Sequence, residues 1–403
     1  MSTSPVVVTG MGMVTPLGAD RLSGWQALLR GESAVGPVRR FDASAFPTTF
    51  AAEVPSLPGE DQAALKLRLV MDALEEALIG SGELPYAPER IGISMGSEAA
   101  RPSLETVARR HRSGVVPTAS ELLANAADAP ARALARRLGV TGPCTTISTA
   151  CTSSAQAVGE GWQRLRRGEV DAMVVGGVDV LVGPLMLTGF SLLGALSTRN
   201  EDPQAASRPF DMDRDGFVLG EGAGVLVLER EEAARARGAT PLVELAGYGC
   251  SCNAWRITDS PPDGRGAAAA MAGALEEARV APEAVGYINA HGTSTGMNDP
   301  SEARGIQRVF GEHTSQVWVS STKSMMGHLV AACGAVEAII TAQVLMEGQI
   351  PPTLNLDRPD PECDLRHVTE TVSTQVDHAI SNAFGFGGSN ASLLFRSLDC
   401  APR

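Results

Sequence analysis

"CTTISTACTSSAQAVGEG", residues 144–161, changes its hydrophobic pattern partway along. Up to Ile147 it is a short β-branched run; beyond Thr152 it is rich in small and helix-compatible residues, with a tight turn of small residues between. The same succession of strand, small-residue turn and helix returns at 317–338 as "VWVSSTKSMMGHLVAACGAVEA". A second echo joins "AMVVGGVD" (172–179) to "GYINAHGTST" (286–295), both apolar strands that end in glycine-containing loops. Internal similarity on this scale points to two similar halves, 1–239 and 240–403, divided before "PLVELAGYG". Elsewhere β-rich runs alternate with alanine- and leucine-rich helical patterns, which indicates an α/β architecture with much parallel sheet. Two such halves packed back to back bring their special turns, and the residues on them, to a common centre.

The bulk numbers bound the function. A chain of 403 residues, 44% hydrophobic and 20% charged, is long enough to bury a large core. No uninterrupted apolar run approaches the ~20 residues of a membrane helix, and the opening "MSTSPVVVTGMG" lacks a signal-peptide pattern; the expectation is a cytoplasmic protein without a membrane partner. The net charge of -13 and 4% aromatics disfavour nucleic acid, so an acidic partner must find a local basic patch. Seven cysteines without C-x-x-C spacing argue against a zinc ribbon or a disulfide framework, and no metal is expected.

Cys151 sits at the turn into a helix, where the positive helix end favours thiolate and neighbouring backbone N–H groups face a developing oxyanion. His291 follows an apolar strand and His328 lies between a turn and a helix, both at strand ends where α/β folds place ligands. Lys323, one of two lysines, stands five residues before His328, with Asp299, Glu302 and Glu337 as candidate counter-charges. "NAFGFGGSNAS" (382–392) offers glycines for close backbone approach to a ligand. "VVVTGMGMVTPLG" (6–18) approximates a dinucleotide fingerprint, but Thr15 occupies the third glycine position.

These pieces, in this order, resemble the β-ketoacyl-acyl-carrier-protein synthases, the condensing enzymes of fatty-acid and polyketide synthesis. The resemblance runs through "TACTSS", "ALSTRNEDPQAASRPFDMDRDGFVLGEGAG", "NAHGTST", "SSTKSMMGHLVAACGAVEA", "IPPTLNLDRPDPECDL" and "NAFGFGGSN", nearly the whole chain. It implies a thiolase-like fold, two βαβαβαββ halves in a five-layered α/β/α/β/α arrangement, normally dimeric. It implies that Cys151 accepts the acyl chain from acyl carrier protein and that His291 and His328 promote malonyl decarboxylation. Lys323 and Glu337, with Asp299 and Glu302, order the site; the N–H groups of Cys151 and Phe386 form the oxyanion hole. Thr293 and Thr295 match residues that hold the pantetheine arm, and Phe386 matches an aromatic gate. Arg199, Lys66, Arg68, Arg164, Arg166 and Arg167 are the candidate carrier-docking cations. No cofactor is implied beyond the carrier's own phosphopantetheine.

Segment 97–130 and Gly296 depart from the housekeeping pattern and suggest a specialised, polyketide-type synthase, either a homodimer or paired with a chain-length-factor-like paralogue. Two competing readings are a noncatalytic chain-length factor, which would lack the cysteine, and a thiolase, which would need a second catalytic cysteine; Cys363 lies away from the "GFGG" loop.

Overall fold

A computed structural model describes residues 4–399. The first strand, β1 (Val6–Val14), is buried along its whole length, as a strand covered on both faces must be. In the first half it is joined by β2 (Ile91–Gly96), β3 (Cys144–Ile147), β4 (Ala172–Asp179) and β5 (Gly222–Arg230). The second half supplies β6 (Val243–Cys252), β7 (Val285–Asn289), β8 (Trp318–Ser320), β9 (Arg366–His367), β10 (His378–Phe384) and β11 (Ser389–Arg396).

The halves repeat one pattern. The first runs β1-β5-β4-β2-β3 and the second β6-β11-β10-β7-β8, with β9 added outside β8. In each, the first two pairings are antiparallel and the next two parallel. The halves meet where β1 pairs β6 through Val7↔Glu244 and Val8↔Val243, making one hydrogen-bonded sheet of eleven strands. The repeat corrects one expected echo. β3 and β8 are indeed equivalent, but β7 corresponds in position to β2, not to β4, so "AMVVGGVD" and "GYINAHGTST" are similar strands at different places in the order.

Five helices give the layers. α1 (Gln62–Ser81) covers β1 and β5 on the outside, and α3 (Arg265–Ala278) with α4 (Asn298–Phe310) covers the second half. Between the half-sheets lie α2 (Ser153–Arg166) and α5 (Cys333–Glu347), the latter touching strands of both halves. Val330–Glu347 is long and apolar enough to cross a bilayer, yet 89% of it is buried inside the protein as this central layer.

Gly10 and Gly12 belong to packing. A Cβ on Gly12 would stand 2.1 Å from the Ala73 carbonyl oxygen of α1, so the fingerprint-like spacing serves strand-to-helix contact. Segment 97–130 carries two short surface helices, Leu104–Ser113 and Ala119–Asn125, and leaves Val115, Val116, Leu122 and Leu123 exposed.

Candidate active site

β3 delivers the chain to Cys151 through a tight turn. Ser153 Oγ donates to the Ala150 carbonyl at 2.6 Å and accepts from Thr149 N–H at 2.8 Å. Ala150 takes a φ of +53°, a region an alanine enters only under constraint, and this turns the next residue toward the half-to-half boundary. Cys151 lies just ahead of α2, whose N-cap is Thr152.

The second half brings its turn to the same place. His328 Nε2 lies 3.1 Å from Cys151 Sγ, and the two imidazoles meet edge to face with centroids 5.3 Å apart. The ligand-capable atoms of Cys151, His291 and His328 all lie within 4.8 Å of one another, and all three residues are buried. Val330 N–H donates to His328 Nδ1 at 3.3 Å, so the proton of the neutral ring sits on Nε2, which faces the sulfur as a donor. Burial, reinforced by Lys323, holds both histidines well below the usual imidazole range; they work as neutral rings.

The thiol departs from the expectation drawn from its sequence position. Burial pushes Cys151 up to about 12, while Lys323 and the backbone N–H groups of Phe386 and Cys151 pull against that rise. A helix start in a dry interior does not outweigh desolvation, so the resting group is a thiol. The two N–H groups that address the sulfur are the pair expected to form the oxyanion hole.

The ionic support is divided more sharply than the sequence suggested. Lys323 is fully buried and bonds Glu337, which burial raises to about 7. Glu302 instead accepts from the N–H groups of His291 and Gly292, both at 2.8 Å. Asp299 accepts from Thr293 N at 3.0 Å, Ser294 N at 3.2 Å and Phe210 N at 2.9 Å. These two carboxylates thus shape the loop that carries His291 and Thr293; Lys323 pairs with Glu337.

A cleft of about 210 Å³ opens onto Cys151, His291 and His328. Thr293 and Thr295, their hydroxyls 2.9 Å apart, line one wall, and Phe386 lines another. Phe190, Leu193 and Phe217 make it largely apolar.

The expected docking cations fare differently. Lys66 is 2% exposed and bonds Asp179 and the Glu98 carbonyl, so it is no surface cation. Arg68 is tied to Glu60 at 2.8 Å. Arg164, Arg166 and Arg167 pair with Glu169, Glu277 and Glu169 at the far end of α2, about 20 Å from its Cys151 end at 1.5 Å per residue. Arg199 does not line the cleft but follows Ala195 of its wall, and it donates to the carbonyl of Asp213, which precedes Asp215 of the wall. Two residues escaped sequence reading. Cys333 donates its S–H to the Cys151 carbonyl at 3.2 Å, and Asp179 accepts from Ala331 N–H beside His328.

Comparison with known proteins places this geometry. Residues 3–234 match the beta-ketoacyl synthase N-terminal domain and residues 242–357 its C-terminal domain. The 3-oxoacyl-[acyl-carrier-protein] synthase 2 of Vibrio cholerae is 42% identical, over 99% of this chain and 100% of its own. A chain in the structure of a type II PKS acyl-carrier protein in complex with its ketosynthase bound to the hexaketide aligns with TM-score 0.89 at 31% identity, covering 99% of this chain and 100% of that one. The ishigamide ketosynthase/chain length factor aligns with TM-score 0.88 at 32% identity, covering 98% and 100%.

Proposed function

The chain belongs to the β-ketoacyl synthase family, and from that membership we propose how its residues divide the work. It is a carbon–carbon bond-forming acyltransferase, a 3-oxoacyl-acyl-carrier-protein synthase. Cys151 attacks the thioester carbonyl of an acyl carrier protein. The acyl group moves to Sγ and the thiol proton ends on the departing pantetheine thiol. Malonyl carrier protein then enters the cleft along Thr293 and Thr295. Its thioester oxygen takes hydrogen bonds from His328 Nε2 and from His291 as carbon dioxide leaves. Charge that develops on that oxygen is what such donors stabilise.

The resulting carbanion attacks the acyl-Cys151 carbonyl. The new oxyanion is held by the N–H groups of Cys151 and Phe386, and its collapse returns the sulfur and releases the β-ketoacyl thioester. The sulfur leaves as thiolate and takes one proton from solvent; everything else in this balance comes from two carrier-bound thioesters, and no further cofactor enters it.

The observation that carries the assignment is the Nε2–H of His328 aimed at Cys151 Sγ from 3.1 Å, with its tautomer set by Val330. A silent chain-length factor has no use for that thiol, and the retained Cys151–His291–His328 set speaks against that role. The test is condensation of purified protein with acyl- and malonyl-carrier proteins. Product that forms equally with Cys151→Ala would overturn the reading.

Three further points are part of the proposal. The boundary at 239/240 is supported by the repeated strand order. A dimer, of identical chains or with a chain-length-factor-like paralogue, is supported by the exposed apolar residues of segment 97–130, and specialisation toward polyketide chains by the same segment. A cytoplasmic setting fits the six cysteines that stand as free thiols among the described residues.

A further inference from the structure

The chain's two lysines are both buried, and each is paired with a carboxylate beside the loop that carries His328. Lys323 belongs to the site already described. The second pair has no part in it so far. We propose that Lys66 and Asp179 are positioning residues for His328: together they fix the Ala331 peptide and, through Val330, keep the imidazole proton on Nε2. The inference rests on His328 acting as a hydrogen-bond donor during decarboxylation.

The chain of contacts is short. Lys66, on α1, donates to the Glu98 carbonyl and to Asp179 Oδ1, the latter at 3.3 Å. Asp179, the last residue of β4 and 1% exposed, accepts from Val180 N–H on Oδ1 and from Ala331 N–H on Oδ2, both at 3.2 Å. The neighbouring Val330 holds a φ of +47°, unfavourable for a β-branched side chain, and survives only where the surroundings impose it. Its N–H is the one that caps His328 Nδ1.

The strand end is fitted to this task. A Cβ on Gly177 would stand 2.4 Å from Ser154 Cβ and 2.9 Å from the Ala331 carbonyl oxygen. The same stretch of β4 therefore touches the helix behind Cys151 and the loop of His328. Burial pushes the Asp179 carboxyl up, and Lys66 and the Ala331 N–H pull against that rise; the lysine therefore favours the ionised acceptor, which grips an N–H more strongly than a neutral one. Without the pair the Ala331 peptide is free to rotate, Val330 relaxes, and His328 Nδ1 loses its cap. A proton on Nδ1 would leave a lone pair on Nε2, facing the enolate oxygen it is meant to stabilise.

The test is Asp179→Asn in the full-length protein, labelled with 15N-histidine. The expected result has three parts: the Nδ1–H tautomer of His328 appears in the spectrum, malonyl-carrier-protein decarboxylation falls by about tenfold or more, and alkylation of Cys151 by iodoacetamide is not slowed. Lys66→Met, which keeps the buried stem, is expected to behave alike. An unchanged tautomer, an unchanged decarboxylation rate, or an equal loss of decarboxylation and alkylation would overturn the proposal. Failure of both variants to fold would overturn it too, since the pair would then serve the core alone. His328→Ala is the control: if decarboxylation survives there, the reading of His328 fails, while the tautomer measurement still decides the positioning role.

Discussion

In the proposed reaction, the interior works against Cys151 in its resting state and for it in the transition state. Burial keeps the sulfur protonated, but the same dryness strengthens every donor aimed at charge that forms during reaction. Cys151→Ala is expected to abolish self-acylation and condensation while the protein stays folded, checked by condensation assay and circular dichroism. Cys151→Gln should retain or raise malonyl decarboxylation, because its amide resembles the acylated thiol. For His291→Ala and His328→Ala the expected cost is about 3 kcal/mol each in the decarboxylation step, or roughly a hundredfold in rate. Near-normal carbon dioxide release from either variant would remove that residue from the enolate site. Glu302 adds a pH signature. Burial raises it from the ordinary 4.5 to about 7, so the folded state binds the proton more tightly than the unfolded state. Its stabilising contribution is complete below 4.5 and is lost as pH rises through about 7. Glu302→Gln should therefore flatten the fall of melting temperature across that window; an unaltered slope would mean Glu302 titrates as an ordinary carboxyl.

Among the elements, the contact between β1 and α1 shows how spacing is misread and then explained. Gly12→Ala would drive a methyl group to 2.1 Å from the Ala73 carbonyl, forcing strand and helix apart. Overpacking of this kind costs typically 1–3 kcal/mol, about that much of a lowered unfolding free energy in urea. A midpoint equal to wild type would mean the interface has slack. The two glycines stood out in the sequence because any close backbone approach demands them, whether by a phosphate or by a helix; only the helix packed there tells the two apart. The turn at Cys151 and the strand end before His291 were legible because hydrophobic period and small-residue turns are local signals; His328, expected at a strand end, instead follows the short helix Lys323–Met326 that lies beyond β8. Asp179 and Lys66 were not, since their partners lie 113 and 152 positions away from Asp179 and a lone acid after "VVGGV" looks like any turn residue. Lys66 misled for a related reason: helical periodicity leaves its face ambiguous, and only the buried carboxylate shows that it points inward.

For the molecule as a whole, the doubled architecture places the proposed nucleophile in one half and the proposed donors in the other. β3 and β8 occupy equivalent places in the strand order, and α2 and α5 fill the layer between the half-sheets, so Cys151 and His328 meet across the pseudo-symmetric boundary. β3 lies at one edge of the sheet with Cys144 exposed, and segment 97–130 exposes Val107, Val115, Val116, Leu122 and Leu123. Such an edge and such a patch are ordinarily covered. The expected solution state is a dimer with twice the chain mass, or a 1:1 complex when a synthase-like paralogue lacking the cysteine is co-expressed, measured by light scattering. A stable, active monomer would contradict this. The central claim, that Cys151 carries the growing chain and hands it to a carbanion made beside it, is tested most directly by intact-mass spectrometry. The protein is first mixed with acyl carrier protein bearing a defined chain and then with malonyl carrier protein. The account predicts one acyl adduct, absent in Cys151→Ala, that discharges on the second addition as the β-ketoacyl product appears. An adduct that persists in Cys151→Ala, or one that malonyl carrier protein fails to discharge, would contradict it.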